Sequence, residues 1–481
     1  MPRKWCVWIT VAAMAGGTVC RVGQYLSHQS FWGDEAYLVL NVRDKSPGRL
    51  LGSLTMTVAG QAVPPQSAPP LYLVSLKGLA FLGHESEYAY RLPALVMGIL
   101  ALPLLGWLAW RLLDPAGAAI AVAWAAFSDR MIDGSSLVKQ YSGDMALAIG
   151  LMCLATLPGR RAATRLLICS LATAVAVWYS EPLVFVMAGI GLALLPAVLR
   201  EMPGRRGWLA WIGSCAIPLA SSAALYVLSM RHQQDVRLYE YWAGLFPDYA
   251  HPLLWPVWLV RQTYGLCNYS HTNFGAIMLP LAALGIRRWR REGRPVAMLL
   301  LPILLALGAA ALHRYPFGGA RVDMFLVPAV LLLGAAGVAE LSTLLPAHRA
   351  RLAWLAAAPM VLVGTVQAGY HLIEPRGTSQ LRPVVEFVRQ RYQPGDRIVL
   401  EGGNTWPVFY CYWPQPPGQV HIVGDGETAS VSGRFWCLCE YGPGEYARKR
   451  KPTIDAISAG ATSLPEGTYI GRCGAALLFR R

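Results

Sequence analysis

The feature that most constrains this chain is a succession of apolar segments, most of them near the length of a membrane crossing, separated by short gaps where arginines cluster. Arg160, Arg161 and Arg165, then Arg200, Arg205 and Arg206, then Arg287, Arg288, Arg290, Arg291 and Arg294 fall in alternate gaps. Cytoplasmic loops of membrane proteins carry such an excess of Lys and Arg. Of 481 residues, 55% are hydrophobic and only 14% charged, and the mean hydropathy is +0.38. That balance belongs to polytopic membrane proteins. The formal charge of +15 is accordingly a topology signal, since a nucleic-acid binder would gather its cations on one face or tail.

With the N-terminus inside, spans are expected near 5–27, 92–110, 115–128, 143–158, 166–179, 183–199, 208–228, 274–286, 296–313, 324–345 and 352–370, about eleven crossings. The segment 115–128 is short for a full crossing and calls for help from its flanks or from local thinning of the bilayer. Arg3 and Lys4 before an apolar run resemble a signal peptide, but no small-residue cleavage site stands out, so an uncleaved first span is expected. Loops 28–91, 129–142, 180–182, 229–273 and 314–323 then lie outside. Two of these are long, and their aromatic stretches 71–82 and 252–266 read as helices along the interface with Lys77 or Arg261 on the wet side.

From Ile373 onward the composition turns polar and rich in Gly and Pro. A helix over 379–392, a turn at 394–396, strands at 398–400, 420–423 and 435–438 and a helix over 404–413 suggest a small extracytoplasmic α/β domain, 373–481, after a membrane domain of 1–372. The ten cysteines show no metal-ligand spacing, and Cys153, Cys169 and Cys215 sit in apolar runs as small hydrophobes. An outside location would permit a disulfide among Cys411, Cys437, Cys439 and Cys473 without fixing which pair.

The residues that suggest chemistry begin just past the first span, at Phe31-Trp32-Gly33-Asp34-Glu35. Adjacent carboxylates there can stay ionised at the water interface and still reach a lipid-borne molecule. They can equally open a helix, Asp34 as cap and Glu35 favouring the dipole. Pro69-Pro70-Leu71-Tyr72 gives a rigid entry to the interfacial helix, and Tyr90-Arg91-Leu92-Pro93 opens the next span. Further on come Lys139-Gln140-Tyr141-Ser142-Gly143-Asp144, then His313-Arg314-Tyr315-Pro316-Phe317-Gly318-Gly319 with Arg321 and Phe325-Leu326-Val327-Pro328, then Pro394-Gly395-Asp396-Arg397-Ile398 and Tyr410.

Taken in that order, these motifs resemble the lipid-linked-sugar glycosyltransferases of the GT-C class, in the family 39-like branch of protein O-mannosyltransferases and aminoarabinose transferases. The resemblance covers nearly the whole chain. It implies a GT-C-like helical bundle, a polyprenyl-phosphate-linked sugar donor, a glycan, lipid or protein acceptor, inversion at the anomeric carbon and Asp34 as catalytic base. The chemistry agrees: an acceptor hydroxyl must lose a proton while the anomeric carbon becomes cation-like, and a positioned carboxylate assists both. Glu35 would orient Asp34 or the acceptor.

The departing phosphate needs fixed cations, for which Lys139, Arg314 and Arg321 are candidates, with Tyr141 as a possible donor. Each cation could instead snorkel at a helix end, and Tyr141 could be an interfacial aromatic. Asp144, about one turn beyond Lys139, could pair with it. Lys77, Arg91, Asp144 and Tyr315 complete the set as supporting candidates. In the aminoarabinose branch an acidic residue associated with a metal precedes the Pro-Pro, whereas Ser67-Ala68 stands here. No obligatory metal is therefore expected, with a divalent ion left open. His232, His251 and His271 lack ligand spacing. Tyr239, Tyr241, Trp242, Trp255, Trp258 and Tyr264 form either an aromatic belt or a sugar-binding wall.

A transporter or lipid flippase is the rival class, but it would place ionisable residues mid-span between related halves. An O-antigen polymerase or ligase is another, and would make Arg314 and Arg321 central. The expected setting is a bacterial inner membrane with the site facing outward. Reporter fusions placed after Asp34 and after Pro394 should both report an extracytoplasmic location; a cytoplasmic signal from either would refute this topology.

Overall fold

The computed structural model describes residues 2–82, 85–346, 348–377, 379–424, 431–442 and 445–481. Every expected span coincides with a helix. Six helices are long and apolar enough to cross a bilayer by length and composition: Arg3–Leu26, Glu87–Leu112, Leu183–Glu201, Arg205–Gln233, Arg321–Leu344 and Leu352–Ile373. Pro115–Ala126, Tyr141–Ala155, Ala162–Ala176 and Ala297–Ala311 are shorter apolar helices, and Gly275–Arg291 ends in an arginine cluster. The protein is a multi-pass, mostly helical membrane protein.

The short helix Pro115–Ala126 shows how length and lipid are reconciled. At 1.5 Å per residue its 12 residues reach only about 18 Å, yet from Gly117 onward every residue except Ile120 is buried. It lies within protein and has no bilayer thickness to match. Its small side chains let neighbours approach closely, and a Cβ added at Gly17 of the first helix would meet the Cβ of Ala126 at 2.8 Å. Arg21, fully buried in that first helix, donates to the carbonyls of Ala126 at 3.0 Å and Ala125 at 3.1 Å. A cation thus caps the last turn, where carbonyls lack helical partners. Glycines do the same work between Gly275–Arg291 and Val327–Leu344, where a side chain on Gly337 would collide with the Leu281 carbonyl and one on Gly285 with the Leu333 carbonyl.

Loop 28–91 folds into helix Gly33–Asp44, a 3-10 turn, a small hairpin and helix Pro70–Leu82, the last as expected. Lys77 does not belong to the site: its ammonium donates to the carbonyls of Val42 at 2.8 Å and Arg43 at 3.3 Å, capping the preceding helix. Helix Trp255–Ser270 carries exposed Val257, Leu259 and Val260, as an interfacial helix should.

The C-terminal region is α/β, with a five-stranded sheet. Val420–Val423, Arg397–Glu401 and Arg434–Glu440 run parallel, and Gly474–Arg480 and Thr462–Ile470 extend them as an antiparallel hairpin. That hairpin and helix Lys451–Ile457 were not anticipated. Thr462–Ile470 contains Pro and Gly, is largely exposed, and its register shifts between Leu464 and Tyr469, so alternation is lost. All ten cysteines are free thiols, with Cys437, Cys439 and Cys473 buried; the disulfide considered among the C-terminal cysteines does not form.

The two regions share one hydrophobic core, in which Phe31, Leu38 and Tyr72 of loop 28–91 join Val384, Trp406 and Trp436. Polar contacts fix the join. Tyr412 accepts from the Phe31 N–H at 2.7 Å and donates to Glu87 at 2.8 Å, which also takes a 2.7 Å bond from Arg382. Gly337→Val should lower the melting temperature of the detergent-solubilised protein by several degrees through overpacking of about 1–3 kcal/mol. An unchanged melting temperature would refute the tight helix contact.

Candidate active site

Helix Gly33–Asp44 begins at Trp32, whose extended backbone ends the incoming chain. Glu35 folds back on this turn. Its Oε2 accepts the Trp32 N–H at 3.3 Å, Oε1 accepts the Val138 N–H at 2.7 Å, and Arg91 grips both oxygens at 3.1 and 2.6 Å. Arg91 also donates to the carbonyls of Gln29 at 2.6 Å and Ser30 at 3.1 Å. Glu35 is therefore not free to orient an acceptor. Fully buried, it joins helix Gly33–Asp44, the turn at Val138 and the span Glu87–Leu112. Arg91 likewise serves this joint.

Asp34 lies about 100° further round the helix and faces an open cavity. Its Oδ1 stands 3.1 Å from Lys139 Nζ and its Oδ2 stands 2.6 Å from Arg321. Lys139, 5% exposed, also donates to Gln66 Oε1 at 2.8 Å. Burial pushes the Asp34 carboxyl up, but the charges of Lys139 and Arg321, with hydrogen bonds from Lys139 and Gln66, outweigh it and hold the group below its ordinary value. It is ionised at neutral pH. Burial is also the main influence on Lys139, whose ammonium sits below its ordinary value. Arg321 is stacked over Trp32 at 5.2 Å and Tyr141 at 5.9 Å.

Arg321 is aimed by the loop before it. Asp323 Oδ2 accepts the N–H groups of Gly318, Gly319 and Ala320 at 3.0, 2.9 and 3.2 Å. Gly318 and Gly319 have φ of 137° and 86°, and a side chain on Gly319 would collide with the Gly265 carbonyl. Only glycine fits that turn. Tyr315 donates to the Val322 carbonyl at 2.7 Å and braces the same loop.

Asp34, Lys139, Tyr141, Asp144, Arg314, Tyr315 and Arg321 line a single cavity of about 580 Å³. Asp144 does not pair with Lys139, which turns instead to Asp34 and Gln66. Arg314 is exposed at the cavity and forms no ion pair among the described residues. Of the outer aromatics, Tyr239, Tyr241 and Trp242 line this cavity, whereas Trp255, Trp258 and Tyr264 do not. A second cavity of about 410 Å³ shares Trp32, Tyr141, Tyr241, Trp242 and Arg321 with the first. Among the described residues, no group of three His, Cys, Asp or Glu side chains is placed to hold a metal ion.

Sequence reasoning missed Gln66, Glu181 and Asn404, which also line the larger cavity. Gln66 stood in a stretch read for its prolines and for Ser67-Ala68. Asn404 comes from the C-terminal region, and its Oδ1 accepts from Tyr37 at 3.2 Å.

This arrangement is a GT-C-like fold: a helical membrane bundle whose loop 28–91 presents an acidic residue against a C-terminal α/β region. Among solved structures, the chain resembles ArnT from Cupriavidus metallidurans in the apo state, with 12% identity, a TM-score of 0.53 and coverage of 99% of this chain and 98% of that one. The same ArnT bound to undecaprenyl phosphate matches with 12% identity, a TM-score of 0.51 and the same coverage. The chain matches no protein-family model and no curated protein sequence.

Glu35→Ala should destabilise the protein by about 3–5 kcal/mol, because it leaves Arg91 buried without its counter-ion. The double variant with Arg91→Leu should recover much of that loss. Equal melting temperatures for wild type and Glu35→Ala would refute the role given to this pair.

Proposed function

We propose that this protein is an integral-membrane glycosyltransferase that moves a sugar from a polyprenyl-phosphate carrier to an acceptor hydroxyl, with Asp34 as general base. One observation carries the reading: an ionised carboxylate is held between two cations, Lys139 and Arg321, in a cavity of the helical membrane bundle. The fold shared with ArnT, one structure of which holds undecaprenyl phosphate, supports the same choice of donor.

The resting geometry suggests an order of events. Lys139 and Arg321 neutralise Asp34, which makes it a weak base. A phosphate arriving at the cavity competes for both cations and for Arg314, and each one it takes raises the proton affinity of Asp34. The acceptor oxygen then bonds to the anomeric carbon as the bond from that carbon to the phosphate oxygen breaks. The acceptor proton passes to Asp34, and the polyprenyl phosphate leaves as an anion paired with Lys139, Arg314 and Arg321. Glu35 and Arg91 act behind this step by fixing the helix that carries Asp34.

The groups facing Asp34 are nitrogen cations, which suit a phosphate directly, and we propose that no divalent ion is required. The arginine-rich loops at the opposite face favour a cytoplasmic side there and support an outward-facing site, in a bacterial inner membrane. The acceptor is a glycan, lipid or protein hydroxyl presented there.

The test is release of polyprenyl phosphate from a radiolabelled sugar donor in liposomes. Asp34→Asn should slow release by about 100-fold or more, and EDTA should leave the wild-type rate unchanged. Full activity in Asp34→Asn would reject the base assignment, and labelled lipid crossing the bilayer with its sugar attached would favour a flippase.

A further inference from the structure

The larger cavity is also lined by an acidic pair that the reaction just described does not use. Asp144 and Glu181 both line it, and one oxygen of each, Oδ1 and Oε1, is buried without a hydrogen-bond partner among the described residues. Asp144 is only 2% exposed. Neither forms an ion pair among the described residues, although Lys139 is only five positions from Asp144 in sequence.

The fold holds these two groups together. Glu181 follows the turn that carries Tyr179, and Tyr179 packs so closely on Gly143 that a side chain there would collide with its ring. Tyr72 meets Tyr179 edge to face at 5.5 Å and backs the contact. Asp144 sits in the first turn of helix Tyr141–Ala155, and Glu181 just precedes helix Leu183–Glu201. Two positive helix ends make buried carboxylates tolerable there. They do not supply the missing partners. Burial pushes the Glu181 carboxyl up to about 7, so it can donate as well as accept a hydrogen bond.

We propose that Asp144 and Glu181 form the subsite for the hydroxyl groups of the transferred sugar, a role that rests on the glycosyltransferase reading above. The cavity lining combines the cations Lys139, Arg314 and Arg321 with two carboxyl groups that pair with none of them among the described residues. A sugar phosphate brings both demands: an anionic group joined to a neutral body rich in O–H groups. The cations take the phosphate, while sugar hydroxyls, which both donate and accept, satisfy the unpartnered carboxyl oxygens. Tyr241, Trp242 and Tyr315 on the same cavity offer rings to the apolar face of a sugar. A cation is the other natural occupant of an acidic pocket, but the described residues supply fewer than three such donors.

Binding measurements in nanodiscs separate these outcomes, using undecaprenyl phosphate alone and the same lipid carrying a neutral hexose, a neutral pentose or an amino sugar. At least one sugar-bearing lipid should bind about tenfold more tightly than the bare lipid. The Asp144→Ala/Glu181→Ala double variant should erase that preference and leave bare-lipid affinity unchanged, which also shows that the variant is folded. Asp144→Asn/Glu181→Gln, nearly isosteric, should reduce the preference less. The proposal is overturned by a wild type with no preference for any sugar, by equal weakening of bare and sugar-bearing lipid in the double variant, or by a preference that EDTA abolishes. Wild-type protein that fails to bind bare undecaprenyl phosphate would instead remove the phosphate reading beneath it.

Discussion

The buried pair of Glu35 and Arg91 is the interaction on which the site depends. Burying two charges is unfavourable unless nearly every hydrogen-bonding position is filled, and here Glu35 takes four hydrogen bonds while Arg91 satisfies two loop carbonyls as well. Three segments distant in sequence converge on this one carboxylate. Their convergence fixes the first turn of helix Gly33–Asp44 and thereby the direction of Asp34. Of two adjacent acids, one is spent as a fastening so that its neighbour can face the cavity. Asp34 in turn meets cations delivered by two other loops, each aimed by its own device: Lys139 by the Gln66 contact, Arg321 by the Gly318-Gly319 turn that Asp323 holds.

The C-terminal domain belongs to this architecture as more than a cover. It contributes to the core beneath the outer loop and sends Asn404 to the edge of the cavity, where the carboxyl ends of its parallel strands lie. Ligands of open α/β sheets commonly bind at that edge. The membrane bundle and the C-terminal region therefore meet at the helix that carries Asp34.

Much of this was legible in the sequence because the bilayer imposes coarse rules. Apolar runs and alternating arginine clusters placed a helix at each expected span, though not the short helix Asp129–Gly134, and motif order gave the fold type and the loops that supply Asp34, Lys139 and Arg321. The rest depended on which side chains folding brings together. Asp34 and Glu35 are neighbours with opposite fates, and nothing in their spacing says which turns inward. Lys77 reads as an interfacial cation, yet it caps a helix that only the folded loop brings within reach. Arg21 lies unremarked in an apolar run because its partners, the carbonyls of Ala125 and Ala126, are far off in sequence. The pairing proposed for Asp144 with Lys139 followed helical spacing, but helix Tyr141–Ala155 begins after Lys139, so the two never share a turn. The final hairpin escaped because its edge strand lacks the alternation that a buried face enforces.

The most direct test of the central claim is a structure of the protein with undecaprenyl phosphate bound. The account predicts phosphate oxygens within about 3 Å of Lys139 Nζ and of the Arg321 guanidinium, with Asp34 released from at least one of the two and exposed to the cavity. A phosphate bound elsewhere, with Asp34 still bridging Lys139 and Arg321, would contradict it.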